Sequence, residues 1–180
     1  MKTAATCAFH RPIHTPGCAA RRALTLGMFG AIAAMAALGP QGARAAEQVL
    51  EFKLVTRPVD VKALDHKAVE GLSVGTGRYF GVANFKDGRT ASKDFVFSWD
   101  FNKGSGPFFG YSTYTFEDGS SVTARFAGTL RAGQPMHGEY TIVSGTGAFA
   151  GAKGSGVYDA LPHKLAEGSL YSGRLMITTP

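Results

Sequence analysis

The chain has 180 residues, among them 24 Gly, 13 Phe, 2 Cys and a single Trp, and its formal net charge at pH 7 is +6. That charge is uneven: residues 1–45 contain five basic and no acidic residues, which leaves 14 basic and 13 acidic residues in 46–180. A nearly neutral body excludes a phosphate-tracking surface, because such a surface needs basic residues clustered on one face of the folded domain. We therefore expect no nucleic-acid partner.

The first 45 residues have the three parts of a secretory signal peptide. A basic stretch ends at residues 21–22, an apolar run covers 23–38, and residues 43–45 form a small-residue cleavage pattern. The run is shorter than the roughly 20 residues that a spanning helix needs, so a retained anchor is disfavoured. We expect cleavage after Ala45, no stable membrane anchor afterwards, and export to the periplasm or the exterior. Both the general secretory route and a twin-arginine route stay open.

Both cysteines, Cys7 and Cys18, precede the apolar run. The mature chain, residues 46–180, would contain no cysteine and hence no disulfide. About 135 residues can bury one substantial core, so we expect a single domain.

The mature chain alternates apolar and polar residues with the period of a β-strand almost throughout. The clearest run is residues 94–101, in which Phe95, Phe97, Trp99 and Phe101 share one face. Asp-Gly pairs in residues 86–89 and 117–121 suit tight hairpin turns, and residues 61–69 are the one helical candidate. Short strands at regular intervals predict an all-β antiparallel sandwich or barrel.

Two segments seventy residues apart share the pattern Gly-Thr-Gly, one residue, an aromatic residue, one residue, Gly. They are residues 75–81 and 145–151. Glycines at this spacing permit sharp bends and close backbone approach, so we interpret both segments as barrel corners. The structural glycines of this prediction are Gly75, Gly77, Gly145, Gly147 and Gly151.

The second copy lies in a stretch, residues 140–154, that resembles the glycine-rich hairpin of the allene oxide cyclase and dirigent barrel superfamily. Residues 111–119 and 122–130 are similar to the paired strands that precede this hairpin in those families. The resemblance covers roughly residues 108–160, less than half of the mature chain. It implies a small eight-stranded antiparallel barrel with an apolar, lipocalin-like cavity, trimeric in many plant members.

The activities implied by the resemblance need no cofactor and no metal. They are cyclisation of an unstable fatty-acid epoxide and stereochemical guidance of phenoxy-radical coupling. The resemblance does not fix a catalytic residue: Glu51, Asp65 and Glu70 are the acidic groups of the early strands, and no motif selects one. Glu51 and Glu70, each with a neighbouring tyrosine, are the catalytic candidates.

Aromatic residues on the strand faces are the candidates for ligand binding, because apolar rings line the pockets of small barrels and also fill cores. They are Tyr79, Phe97, Trp99, Tyr114 and Phe126. Tyr111 and Tyr114 lie on opposite faces of one strand, so at most one points inward, and alternation places Arg125 outward.

Three features of the sequence resemble sites of other chemistries, but the residues around them do not fit those sites. Residues 71–75 fit a nucleophile elbow, but a glycine bend and a strand follow Ser73 instead of a helix. The glycines of residues 75–81 are spaced one residue too long for a dinucleotide fingerprint, and no helix follows. His66, His137 and His163 are far apart in sequence, so no metal site is predicted.

Three functions remain open. The barrel binds a small hydrophobic or phenolic molecule, or it is a cofactor-free cyclase or isomerase acting on such a ligand, or it is a structural barrel that assembles with copies of itself as a dimer or trimer. An open lumen with an inward carboxylate favours catalysis, an open lumen without one favours binding, and a filled lumen favours assembly.

Overall fold

The computed structural model describes residues 45–163 and 165–180, so the predicted leader lies, except for Ala45, outside the described residues. The elements in chain order are β1 (Ala46–Asp65), β2 (Leu72–Phe85), β3 (Thr90–Asn102), β4 (Gly106–Phe116), β5 (Ser121–Leu130), β6 (His137–Thr146), a 3-10 turn (Gly147–Phe149), β7 (Lys153–Ala160) and β8 (Ser169–Thr179). Among the described residues, no helix has the length and hydropathy that a membrane crossing requires.

The eight described strands form a closed antiparallel barrel. Each strand pairs with the next in the chain, and β8 pairs back with β1 from the Ala46–Thr179 pair to the Thr56–Ser169 pair. Closure removes the free edges that an open sheet would expose. The predicted all-β, eight-stranded barrel is confirmed.

The strand alternation sends every second side chain into the lumen. The inner faces supply the buried apolar core, which includes Leu50, Phe52, Leu54, Ala83, Phe85, Phe108, Tyr114, Phe116, Val122, Phe126, Tyr140, Tyr158, Leu175 and Ile177. Tyr114 points inward and is fully buried, whereas Tyr111 is 49% exposed on the outer face. Arg125 is exposed on the outer face, as predicted.

One end of the barrel is plugged by aromatic rings. Phe149 of the 3-10 turn is fully buried, and its ring centre lies 4.9 Å from that of Phe116. Phe116 in turn packs against Phe85, with 5.1 Å between ring centres. Turns form at both predicted hairpin positions, residues 86–89 and 117–121, and lie at this plugged end; Ser121 already belongs to β5. The connections at the opposite end surround an open mouth.

The first hairpin extends beyond the rest of the barrel at this mouth. β8 stops pairing with β1 at Thr56, but β1 continues to Asp65 against β2 alone, with a bulge between Pro58 and Asp60. The prediction of a helix over residues 61–69 is therefore wrong. Residues 61–65 form ladder hydrogen bonds with β2, and a helix this short would have only marginal stability of its own.

The two glycine segments have different roles. Residues 145–151 form a corner, where Gly147 and Gly151 have φ values of +58° and +73°. Residues 75–81 lie inside the continuous strand β2, so their interpretation as a corner is wrong. Gly75 is required there for space, because a Cβ at this position would overlap the Trp99 indole ring.

We expect Gly147→Val and Gly151→Val each to lower the free energy of unfolding by about 2 kcal/mol, because a β-branched residue adopts a positive φ only with strain. At Gly147 a new Cβ would also lie 2.9 Å from the Cβ of Ser120. Urea unfolding monitored by circular dichroism measures the change. The control is Ser144→Val on the exposed face of β6, which should be neutral. Unchanged midpoints in both glycine variants would contradict the corner assignment.

Candidate functional site

The mouth half of the lumen contains a cavity of about 190 Å³. Its wall is mainly apolar and aromatic, with residues contributed by seven strands and two connections. The lining residues are Leu54, Thr56, Pro58, Tyr79, Lys93, Phe95, Phe97, Phe126, Met136, Tyr140, Tyr158, Gly168, Ser169 and Tyr171. Within the described part of the chain, this wall contains a lysine and no carboxylate.

Lys93 is the charged residue of this wall. It belongs to β3 and follows the same alternation as Ala91 and Phe95, so its side chain points inward and is only 4% exposed. Its Nζ donates a hydrogen bond to the Tyr140 hydroxyl at 2.7 Å. Among the residues that the structure describes, no Asp or Glu forms an ion pair with it.

Aromatic rings surround the Lys93 amine. Nζ lies 4.7 Å from the ring centre of Phe95, 5.0 Å from Tyr114, 5.1 Å from Tyr140, 5.6 Å from Phe126 and 5.8 Å from Tyr158. Ring faces attract a cation, but they do not replace the hydration that an ammonium group loses on burial. Burial consequently lowers the pKa of Lys93 from 10.5 to about 7.

A hydrogen-bonded pair of tyrosines continues from Lys93 into the core. The hydroxyl groups of Tyr140 and Tyr114 lie 3.1 Å apart, and either can donate to the other. Burial raises the pKa of both tyrosines, and of Tyr158 beside them, so these hydroxyl groups remain protonated at neutral pH. The site therefore joins one amine to two neutral hydroxyl groups in an apolar surrounding.

A row of neighbouring aromatic rings leads from the cavity along β3 toward the extended hairpin. Phe95, Phe97, Trp99 and Phe101 occupy successive inner positions; ring centres are 5.5 Å apart for Phe97–Trp99 and 6.4 Å for Trp99–Phe101. Tyr79 of β2 stacks on Phe95 at 5.1 Å. These rings are half-buried, so the aromatic lining of the cavity continues to the barrel mouth.

The structure brings the predicted ligand-binding residues into one region. Tyr79, Phe97 and Phe126 line the cavity. Trp99 is the next ring along the row, and Tyr114 lies behind the wall, in contact with the Lys93 amine. Together they surround the mouth half of the lumen.

The two carboxylate candidates lie elsewhere. Glu51 is on the outer face of β1, where it forms an ion pair with Lys86. Glu70 is exposed in the connection between β1 and β2. Neither carboxylate faces the cavity, because β1 directs its even-numbered residues inward up to Pro58 and the connection lies outside the lumen.

Sequence reasoning missed Lys93 and Tyr140. The signal that finds Lys93 is the alternation of Phe95, Phe97 and Trp99 extended two residues backward, since β3 begins at Thr90 and not near Asp94. A lysine at an inner position is unusual in itself, because an unpaired charged group is rarely buried.

None of the three histidines, all within the described residues, lines the cavity. His137 lies across a strand pair from Asp159, with 2.7 Å between Nδ1 and the carboxylate oxygen, and His66 and His163 are exposed in connections. In residues 45–163 and 165–180, no group of three His, Cys, Asp or Glu side chains is arranged to hold a metal ion.

No protein-family model matches the chain, and no curated protein matches its sequence. The solved structure of the pterocarpan synthase dirigent protein GePTS1 superposes with a TM-score of 0.53 at 13% identity, over 78% of this chain and 94% of the other. The pterocarpan synthase dirigent protein PsPTS1 superposes with a TM-score of 0.49 at 14% identity, over 74% of this chain and 94% of the other. The third structure is a nonspecific heme-binding cyclase that catalyses a 4 + 2 cycloaddition during neoabyssomicin biosynthesis. It superposes with a TM-score of 0.47 at 18% identity, over 73% of this chain and 64% of the other.

The match to GePTS1 covers nearly all of that protein, and at 13% identity it shows a shared fold. The chain thus shares the closed-barrel fold of this dirigent protein. This confirms the fold that the resemblance of residues 140–154 implied.

We expect the free energy of unfolding to increase as the pH rises from 7 toward 10. The folded-state pKa of Lys93 is lowered to about 7, so between this value and 10.5 the unfolded chain binds a proton that the folded chain does not. Stability rises with pH wherever the unfolded state binds more protons. Above pH 10 the raised tyrosine pKa values reverse the trend, because tyrosines of the unfolded chain then ionise first.

Urea unfolding at pH 7 and pH 9.5 measures this dependence. Lys93→Met should remove most of it and be more stable than the natural protein at pH 7, since an apolar side chain replaces an amine that is buried at a cost. The exposed-face variant Lys53→Met serves as the control. An equal pH dependence in the natural protein and in Lys93→Met would contradict the burial of an unpaired amine.

Proposed function

We propose that this protein is an exported barrel that binds a small aromatic or apolar molecule in its lumen, with an oxygen atom of the ligand accepting a hydrogen bond from Lys93. The observation that carries the proposal is the open cavity, whose described lining contains an inward lysine and no carboxylate. A filled lumen would instead have favoured a purely structural barrel, and the mouth half of this one is not filled.

The size of the cavity limits the ligand. An engineered protein cavity of about 150 Å³ admits benzene, so about 190 Å³ accommodates one substituted ring. Larger molecules would place one ring in the cavity and extend along the half-buried rings of Phe97, Trp99 and Phe101 toward the mouth.

The polarity of the cavity selects an oxygen-bearing ligand. An ammonium group has three N–H donors, and the recorded hydrogen bond of Lys93 to Tyr140 uses one of them. A buried donor without an acceptor costs about 1–3 kcal/mol, so a phenolic, carbonyl or carboxylate oxygen entering the cavity relieves that cost. An amine surrounded by rings therefore favours phenolic and related aromatic compounds over hydrocarbons.

Export and self-association belong to the same proposal. The leader of residues 1–45 supports an exported protein, and the exposed apolar side chains of the outer sheet support a dimer or trimer. These side chains include Val55, Phe80, Val82, Val96, Phe109 and Tyr111.

Calorimetric titration with phenol and toluene tests the binding proposal. The natural protein should prefer phenol by roughly tenfold or more, because a hydrogen bond to a charged donor contributes about 1.5–3 kcal/mol. Lys93→Met should lose this preference and retain toluene binding. Ser169→Phe, which places a ring in the cavity wall near the mouth, should weaken both ligands, whereas Ser172→Phe on the outer side of β8 should change neither.

Absence of binding by both compounds in the natural protein would contradict the proposal. Equal weakening by Ser169→Phe and Ser172→Phe would also contradict it, because the ligand would then not occupy the lumen.

A cofactor-free cyclase or isomerase is the second candidate, and the hydrogen-bonded series Lys93, Tyr140, Tyr114 favours it. An amine with a pKa of about 7 can both accept and donate a proton at neutral pH, which suits a general acid–base group. The apolar wall would exclude water from a reactive intermediate. In this candidate function Lys93 is the catalytic acid–base group, the role for which the sequence suggested Glu51 or Glu70.

Ring opening of benzisoxazole, which needs a base and forms no imine, tests this second candidate. We expect a rate above that in buffer that rises with pH with a midpoint near pH 7, as the Lys93 amine loses its proton. Lys93→Met should abolish the acceleration, and Lys53→Met should leave it intact. Acceleration that survives in Lys93→Met would contradict a role for this amine.

A further inference from the structure

The Lys93 amine combines three properties that are rarely found together. It is buried, it lines an open cavity, and in residues 45–163 and 165–180 no carboxylate pairs with it. The hydrogen bond to Tyr140 holds Nζ in place without supplying an opposite charge. Such an amine is suited to act as a nucleophile as well as a donor.

We propose that Lys93 forms a reversible imine with small aromatic aldehydes and ketones that enter the barrel cavity. The proposal rests on the proposed ligand-binding function, because the carbonyl compound must first occupy the cavity. It names a ligand class, aromatic carbonyl compounds, and a covalent role for one residue.

The groups that face Lys93 keep it available in the neutral form. Tyr114 of β4, Tyr140 of β6 and Tyr158 of β7 place their rings over Nζ, and Tyr79 of β2 and Tyr171 of β8 line the same cavity. Burial raises the pKa of all five tyrosines, so none supplies a negative charge at neutral pH. Because burial also lowers the pKa of Lys93 to about 7, a large fraction of the amine carries a free electron pair there.

The reaction balances without an oxidant or a reductant. The amine electron pair forms a C–N bond to the carbonyl carbon, and the carbonyl oxygen takes up a proton while the nitrogen loses one, giving a carbinolamine. Tyr140, whose hydroxyl lies 2.7 Å from Nζ, is placed to exchange these protons. The carbinolamine hydroxyl then takes up a proton while the nitrogen loses its remaining one, the C–O bond breaks, water leaves, and a C=N bond remains as the imine.

The wall of the cavity suits the product. Uptake of a proton converts the imine to an iminium cation at the former position of Nζ, where the rings of Phe95, Tyr114 and Tyr140 lie within 4.7–5.1 Å. Ring faces stabilise such a cation. The apolar lining limits the access of water, which would hydrolyse the imine.

Reductive trapping of the natural protein with benzaldehyde and cyanoborohydride at pH 7 tests the proposal. We expect the mass of one benzyl group per chain, located at Lys93 by peptide mapping and incorporated at least tenfold faster than at the exposed lysines. Incorporation should saturate with benzaldehyde concentration. Lys93→Met should lose the fast phase, and Lys53→Met should retain it.

Benzyl alcohol, which has the same ring and no carbonyl, separates this inference from the function on which it rests. Binding of benzyl alcohol without benzylation of Lys93 would overturn the imine and leave ligand binding intact. If benzyl alcohol does not bind and benzaldehyde does not benzylate Lys93, the imine and the binding function are both overturned. Because the mapping uses the natural protein, the result does not depend on the folding of any variant.

Discussion

The hydrogen bonding between β1 and β8 is the constraint on which the rest of the molecule depends. It closes the sheet, so one face of every described strand must enclose a common lumen. Closure therefore converts a local alternation of side chains into a separation between inside and outside. The aromatic core and the buried amine both follow from this separation.

Closure alone does not leave room for a ligand, because an eight-stranded barrel is just wide enough to be filled by side chains. The two ends of this barrel differ in how they are filled. Phe85, Phe116 and Phe149 occupy the plugged end, whereas the mouth end is bounded by an extended hairpin and connections that leave a cavity. One half of the lumen is filled by side chains, and the other half leaves a cavity.

Burial of the Lys93 amine has opposite consequences for the stability of the fold and for the chemistry of the amine. A buried amine without a carboxylate is unfavourable for folding, and the surrounding rings compensate for only part of the lost hydration. The same lack of compensation brings its pKa close to neutrality, where it can donate, accept or attack. A salt bridge at this position would stabilise the ammonium form and keep the pKa of Lys93 well above neutrality.

The sequence by itself determined the fold class, most of the strands, the two hairpin turns and the inner-face position of several aromatic residues around the cavity. These features are local: alternation, turn residues and positive-φ glycines act within a few positions of the chain. It did not determine that residues 61–65 continue as a strand, because the ladder with β2 overrides a weak local preference. It also did not reveal that Gly75 makes space for Trp99, since the two are brought together by strand register.

Only the tertiary structure decided which polar groups belong to the site. Glu51 and Glu70 lie outside the lumen, while Lys93 meets Tyr140, 47 positions away in the chain, inside it. Period-two alternation states which residues share a face, but not which face becomes the interior when the sheet closes. The depth of the cavity, and therefore the desolvation that lowers the pKa of Lys93, depends on all eight strands at once and is not encoded in any one of them.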